Sequence, residues 1–181
     1  MKILLVNASG KQGGATGEIL RILGGALAPK HDVKALCLGA YEIGYCEGCF
    51  TCYRTGYCAK EDGVDRIMTH MEEANAILVA APSYWGDVPA QFKALIDRCT
   101  PYADTNPNRL VCLAPGKRGY AIALRTGSHP QECEHILSSV AHWCGHMGIK
   151  WVDGAYFCGI SGREDIIARR EEVLALADRW F

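Results

Sequence analysis

The sequence predicts an α/β fold in which a parallel sheet carries helices on both faces. Two observations lead there: short, unbroken apolar runs, and their regular exchange with segments whose apolar residues recur at helical spacing. Right-handed crossovers then have to lay the helices over both faces of the sheet. Ligands of such sheets sit at the carboxyl ends of the strands.

Ile3-Leu4-Leu5-Val6 reads as a first strand buried on both faces, running into the polar, glycine-rich segment 7–14. Ile19, Leu20, Leu23, Ala26 and Leu27 mark a helix that Pro29 closes. The unit recurs: residues 33–38 read as strand two, 64–74 as a helix, 77–81 as strand three and 89–99 as the next helix. Residues 120–124 read as strand four, 130–147 as a helix, 149–157 as strand five and 165–181 as a last helix. Two long loops interrupt the rhythm, 39–62 rich in Cys and 100–119 rich in Pro and Asn. Loops of that length in a compact domain are usually functional or mobile.

At 181 residues the chain fits one domain, since domains commonly run to about 100–150 residues. Hydrophobic residues make up 49% and charged residues 22%, which excludes disordered and fibrous classes. Nineteen Lys and Arg against twenty Asp and Glu leave a net charge of −1 with no basic stripe, so nucleic acid is not an expected partner. Apolar runs such as 76–82 fall far short of the roughly 20 residues of a membrane span. The opening MKILLVNASG is too short in apolar residues for a secretory core, and a cytoplasmic protein is expected. Ten Cys in such a chain read as metal ligands or small buried hydrophobes rather than disulfides.

Between strand one and its helix stands Ser9-Gly10-Lys11-Gln12-Gly13-Gly14-Ala15-Thr16. Free backbone N–H groups, two hydroxyls and the positive end of a helix make an anion site that a phosphate fits. The segment is neither a Walker A loop nor GxGxxG, and a plain capped turn has the same composition. After strand three comes Pro82-Ser83-Tyr84-Trp85-Gly86-Asp87-Val88-Pro89, whose aromatics at a sheet edge can hold a flat ring. Packing of Tyr84 and Trp85 on neighbouring helices or another subunit is the alternative. Arg125-Thr126-Gly127-Ser128 follows strand four and adds donors at the same edge. Lys11 and Arg125 lie on ligand-facing loops where each could neutralise a phosphate or a nicotinamide cofactor, a solvated surface role being the equal alternative.

Cys46, Cys49, Cys52 and Cys58 give C-x2-C-x2-C-x5-C within one loop. Four thiolates so close repel one another, so they bind metal or remain largely protonated. Intervals of three resemble the ferredoxin arrangement on a [4Fe–4S] cubane, although Ala59 stands where ferredoxins place Pro. Zinc, which favours two knuckles with a longer spacer, is the second choice. The other six Cys, at 37, 99, 112, 133, 144 and 158, read as core filling. His142, Cys144 and His146 do not share one face of a helix turning about 100° per residue. His70, His129 and His135 read as surface groups.

These segments together resemble the NADPH-dependent FMN reductases of the flavodoxin-like superfamily, and especially their iron–sulfur flavoproteins. The resemblance rests on MKILLVNASGKQGGAT, CEGCFTCYRTGYC and APSYWGDVPAQFKALIDR in the family's order. It implies a three-layer flavodoxin-like fold, sheet order 2-1-3-4-5, with FMN at the switch point. Ser9, Gln12, Gly14, Ala15 and Thr16 would then surround the FMN phosphate, with Lys11 of the same loop added as a cofactor-binding candidate, and Pro82, Ser83, Tyr84, Trp85 and Gly86 would border the isoalloxazine. Thr126, Gly127 and Ser128 would lie by its other edge, and the cluster ligands of the iron–sulfur branch would be Cys46, Cys49, Cys52 and Cys58. Relatives commonly carry Ser-Pro-Arg in the first loop and Asn before the Thr, where this chain has Ser9-Gly10-Lys11 and Ala15. The implied activity is hydride transfer from NADH or NADPH to the flavin and passage of electrons to an acceptor, in a homodimer or homotetramer. With a cluster the protein becomes an electron relay; a zinc-stapled module binding a phosphorylated ligand is the non-redox alternative.

Overall fold

The computed structural model describes residues 1–181 and places five strands in one parallel sheet of order β2-β1-β3-β4-β5. The strands are β1 (Lys2–Asn7), β2 (Asp32–Cys37), β3 (Ala76–Pro82), β4 (Arg118–Leu124) and β5 (Lys150–Phe157). The helices are α1 (Ala15–Leu27), α2 (Thr51–Thr55), α3 (Gly63–Glu73), α4 (Ala90–Arg98), α5 (Gln131–His146), α6 (Arg163–Ala168) and α7 (Arg170–Trp180). β1 and β3 are apolar along nearly their whole length because both faces are covered.

Successive residues of β1 serve opposite cores. Leu4 and Val6 pack with Ile67 of α3, Phe92 of α4 and Trp143 of α5, while Ile3 and Leu5 pack with Ile19 and Leu23 of α1 and Val173 and Trp180 of α7. This period of two distributes one apolar strand between two layers. β1 also marks the reversal of strand order: its sequence neighbour β2 lies on one side and β3 on the other. The connections leave those strands on opposite faces, which opens a crevice at their carboxyl ends.

The sequence locates every strand, with adjusted ends. β4 begins at Arg118, two residues early, because Arg118 pairs with Ala76 and its amide donates to Asn75 at 2.9 Å. The expected single last helix is two helices broken at Arg169, where φ is −105° and ψ is 24°. Arg169 there bonds Glu172 at 2.6 Å and the Cys158 carbonyl at 3.3 Å, and stacks 4.7 Å over the Phe157 ring. Loop 39–62 contains the single turn α2 and a 3-10 turn at Leu38–Ala40, and loop 100–119 opens on another at Thr100–Tyr102. No helix is long and apolar enough to cross a membrane.

Core filling holds for Cys99, Cys133 and Cys144, which are buried, but Cys112 is exposed and Cys37 and Cys158 are half-buried. The exposed Cys112 lies on the irregular stretch ahead of β4, where its apolar neighbours do not belong to a strand. Burial pushes the Cys99 and Cys144 thiols up to about 12, so both remain neutral.

Candidate functional site

Three loops leave the sheet at its carboxyl edge. In the first, residues 8–14, the Asn7 side chain accepts from the Ser9 amide at 2.9 Å and donates to the Lys11 carbonyl at 3.1 Å. Ser9 is buried, and its Oγ accepts the Lys11 amide at 3.2 Å, which leaves the hydroxyl proton to donate. α1 starts after Gly14 without a side-chain cap, and the amides of Gly13 through Gly17 meet no acceptor in the chain. A row of unpaired N–H groups at a helix start is an anion cradle. A Cβ on Gly14 would approach only Lys11 Cβ, at 3.9 Å, whereas one on Gly17 would stand 1.9 Å from the Gln12 carbonyl oxygen. Gly17 therefore allows the loop to close on α1, and Gly14 borders open space. Gly17 escaped the sequence reading because nothing local announces that close approach.

In the second loop Tyr84 and Asp87 exchange main-chain bonds of 2.9 and 3.1 Å around a two-residue tip. Both tip residues, Trp85 and Gly86, have positive φ, 55° and 80°. Glycine adopts that conformation freely, but for tryptophan it costs on the order of 1–3 kcal/mol. The Trp85 side chain is nevertheless 104% exposed, so packing on neighbouring helices, the alternative raised by sequence, does not occur within one chain. The Gly86 amide donates to Ser83 Oγ at 3.3 Å, and the Trp85 amide is left without an acceptor.

The third loop is tied to its neighbours while its donors stay free. Arg125 pairs by main chain with Phe157 and Ile160, and the Gly127 carbonyl accepts from Gly159 at 2.9 Å. The amides of Thr126, Gly127 and Ser128 meet no acceptor. Arg125 does not reach outward to a phosphate or a nicotinamide, contrary to the sequence expectation. Its guanidinium folds back to the His129 carbonyl at 2.5 Å and to Glu132 at 3.2 Å, and a Cβ on Gly127 would meet it at 2.4 Å. Lys11 is exposed and remains available to an anion.

Strand register brings these loops together: Asn7 pairs with Ala80 and Pro82 with Leu124. Ser83 donates to Glu132 Oε2 at 2.6 Å and so joins the second loop to α5. Three loops at one edge of the sheet thus carry unpaired amides, a donor set that a phosphate or a polar ring edge can accept.

The cysteine loop is held from beneath by Arg98, which is 2% exposed. Its Nη1 meets Asp62 at 2.5 Å and the Gly44 carbonyl at 3.0 Å, and its Nη2 meets the Lys60 carbonyl at 3.1 Å. Burial pushes the Asp62 carboxyl up, but the Arg98 guanidinium and the Val64 and Gly44 amides outweigh it and hold it below its ordinary value. From the other side, Asn106 donates to the Cys52 carbonyl at 3.2 Å and Asn108 to the Tyr53 carbonyl. Burial raises the Cys52 thiol, and the neighbouring Cys58 and Cys46 raise it further. Cys49 points to Thr51 Oγ1 at 3.4 Å, and that bond lowers its pKa. No three Cys, His, Asp or Glu side chains stand at ligating distance, yet four soft thiols on one short loop are a donor set suited to iron–sulfur or zinc chemistry. Arg98 and Asp62 went unread in sequence because one sits in a helical pattern and the other looks like an ordinary cap.

A five-stranded parallel sheet of order 2-1-3-4-5, with donor-bearing loops converging at its switch point, defines the flavodoxin-like class. The profile of the NADPH-dependent FMN reductase family matches residues 1–157, and the chain belongs to that family. It is 30% identical over 166 residues to an iron–sulfur flavoprotein of Methanosarcina thermophila, covering 89% of this chain and 82% of that one. It is also 30% identical over 137 residues to an iron–sulfur flavoprotein of Archaeoglobus fulgidus, covering 75% of this chain and 60% of the relative. The matched part thus spans only three fifths of the Archaeoglobus protein's length. Among solved structures, the NAD(P)H:quinone oxidoreductase of Methanothermobacter marburgensis superposes with a TM-score of 0.74 at 17% identity, covering 99% of this chain and 93% of that one.

Proposed function

We propose that residues 1–181 form one FMN-binding domain that takes electrons from NADH or NADPH and delivers them to an acceptor, with the four-cysteine loop as the seat of a [4Fe–4S] cluster. The observation that carries the flavin reading is the set of unpartnered amides on the first, second and third loops, at the carboxyl edge of the sheet. In this assignment the amides of Gly13 through Gly17 and the Ser9 hydroxyl hold the phosphate, with Gln12, Ala15 and Thr16 around it and Lys11 supplying positive charge. Pro82, Ser83, Tyr84, Trp85 and Gly86 would border the ring, with the free Trp85 amide as a donor to its polar edge. Thr126, Gly127 and Ser128 donate to the opposite polar edge, where a fixed donor favours a reduced ring that carries negative charge.

Bound FMN supplies two-electron acceptance from a hydride donor and one-electron release, while the protein supplies position and electrostatics. No general acid or base is required of the chain. Cys46, Cys49, Cys52 and Cys58 would hold the cluster, which would supply one-electron transfer. The iron–sulfur names of the sequence relatives support this part of the reading. The fully exposed Trp85 supports a homodimer or homotetramer in which a partner covers the second loop.

Anaerobic purification followed by absorption spectroscopy and iron, zinc and sulfide assays tests both halves. Flavin bands with about four irons and four sulfides per chain are expected. Flavin without iron leaves a simple FMN reductase, zinc without flavin leaves a stapled binding module, and absence of flavin overturns the proposal. Cys49→Ser is expected to remove the iron and spare the FMN.

A further inference from the structure

A groove of about 590 Å³ runs between α4 and α5 and is bordered at one end by Asp87 and Val88 of the second loop. Three histidines of α5 line it, His135, His142 and His146, because offsets of seven and four residues return to one helical face. The sequence argument that separates Cys144 from this face is correct, and Cys144 is buried on the other side. The two histidines four residues apart, however, do meet. Their Nε2 atoms are 3.1 Å apart, with ring centroids at 4.5 Å and planes at 84°. His146 Nδ1 lies 2.7 Å from Asp104 Oδ1, and the Asp104 amide donates to the His146 carbonyl at 3.0 Å.

This arrangement fixes the tautomer of His146. An ionised Asp104 only accepts, so His146 donates from Nδ1 and its Nε2 carries a lone pair aimed at His142. A carboxylate behind a histidine is the device that orients imidazole toward a metal ion and raises its basicity. Two nitrogens at about 2.0–2.1 Å from one ion stand about 2.9–3.4 Å apart for octahedral to tetrahedral angles, and the observed separation falls within that range.

We propose that His142 and His146 form a two-nitrogen chelate for a late divalent transition metal, with Asp104 as the positioning residue and water in the remaining positions. An ion bonded to both Nε2 atoms would replace the hydrogen bond between them and lie to one side of the line that joins them. On binding, His142 carries its proton on Nδ1 instead of Nε2, so both rings offer Nε2 lone pairs to the ion. Imidazole pairs favour Ni²⁺, Cu²⁺ and Zn²⁺ over harder ions. The ion would stiffen the tie between α5 and residues 104–108, the same stretch whose Asn106 and Asn108 hold the Cys52 and Tyr53 carbonyls. The site is chemically separate from the four-thiol loop and stands whether or not that loop holds iron.

Ni²⁺ alone is the probe, titrated calorimetrically into the protein as isolated, beside His142→Ala and Asp104→Asn. Wild type is expected to bind one more equivalent than His142→Ala at micromolar metal and to unfold at a higher temperature with Ni²⁺ present. Asp104→Asn is expected to weaken that equivalent about tenfold or more. Flavin content and metal-free unfolding equal to wild type in His142→Ala establish that the variant is folded. Identical stoichiometry in wild type and His142→Ala, or binding only at millimolar metal, overturns the proposal. So does an extra equivalent that disappears only with Cys49→Ser.

Discussion

Ser83 Oγ donates to Glu132 Oε2 across 2.6 Å while accepting the Gly86 amide at 3.3 Å, so one hydroxyl links the tip of the second loop to the first turn of α5. Glu132 also receives Arg125 at 3.2 Å, which brings the third loop into the same network. The second and third loops are therefore tied to α5 and to each other by three side chains, Ser83, Glu132 and Arg125.

Ser83→Ala removes that link without emptying the core. A hydrogen bond to a charged acceptor contributes roughly 1.5–3 kcal/mol, and Glu132 is partly exposed, so the effect lies near the lower end. The unfolding temperature is expected to fall by about 3–6 °C, and titration of apoprotein with FMN, followed by quenching of flavin fluorescence, is expected to show weaker binding. Unaltered affinity would separate the network from the flavin site.

Gly14→Val isolates the phosphate cradle. An added Cβ meets only Lys11 Cβ at 3.9 Å, and the native φ of −84° suits any residue, so the fold is expected to persist. Blocking close approach to the free amides should leave the purified protein colourless. A yellow, fully loaded variant would place the phosphate elsewhere.

Asp62 gives the cysteine loop an acid limit. Its folded pKa is lowered, so its contribution is complete above the unfolded value of about 3.9 and is lost as pH falls through the lower folded value. Asp62→Asn should be less stable than wild type at neutral pH, with the gap narrowing in acid, as followed by urea unfolding at several pH values. A gap that stays constant with pH would dissociate Asp62 from the acid limb.

Arg98→Met leaves Asp62 and the Gly44 and Lys60 carbonyls without their common donor. Breaking a buried pair from one side costs about 3–5 kcal/mol, and chemical denaturation should register a loss of that order. Limited proteolysis should then cut within residues 39–62 before the sheet opens. Wild-type resistance in that segment would mean that Asn106 and Asn108 suffice to hold it.

Trp85→Gly removes a left-handed tryptophan that makes no packing contact of its own chain. If the protein is monomeric, the change should stabilise it by about 1 kcal/mol through relief of backbone strain. If a partner covers the second loop, sedimentation should instead show dissociation. Retention of both oligomer and unfolding temperature would remove Trp85 from either role.

The sheet is legible in the sequence because Ile3 to Val6 and Ile77 to Ala81 are buried on both sides, and an apolar run without alternation has few other meanings. Ser9, Trp85 and Thr126 are equally legible as loop positions, since each follows such a run directly. The interactions that shape those loops are not. Glu132 lies 49 residues from Ser83, and Arg98 lies 36 from Asp62; each reads as an ordinary charge on a helix or cap until the fold brings its partner alongside. His142 and His146 are an intermediate case: their spacing is visible, but Asp104, which gives the pair its direction, comes from a distant loop.

The order of the sheet leaves β2 as an outer strand with one flank unpaired. That strand is six residues long and presents Asp32 and Lys34 to solvent. Short, charged borders discourage a neighbour from continuing the hydrogen-bond ladder and so guard against fibrillar growth. Copies of this chain that meet are thereby directed away from strand-to-strand pairing along that flank, toward contact through helices or through the loops that frame the crevice.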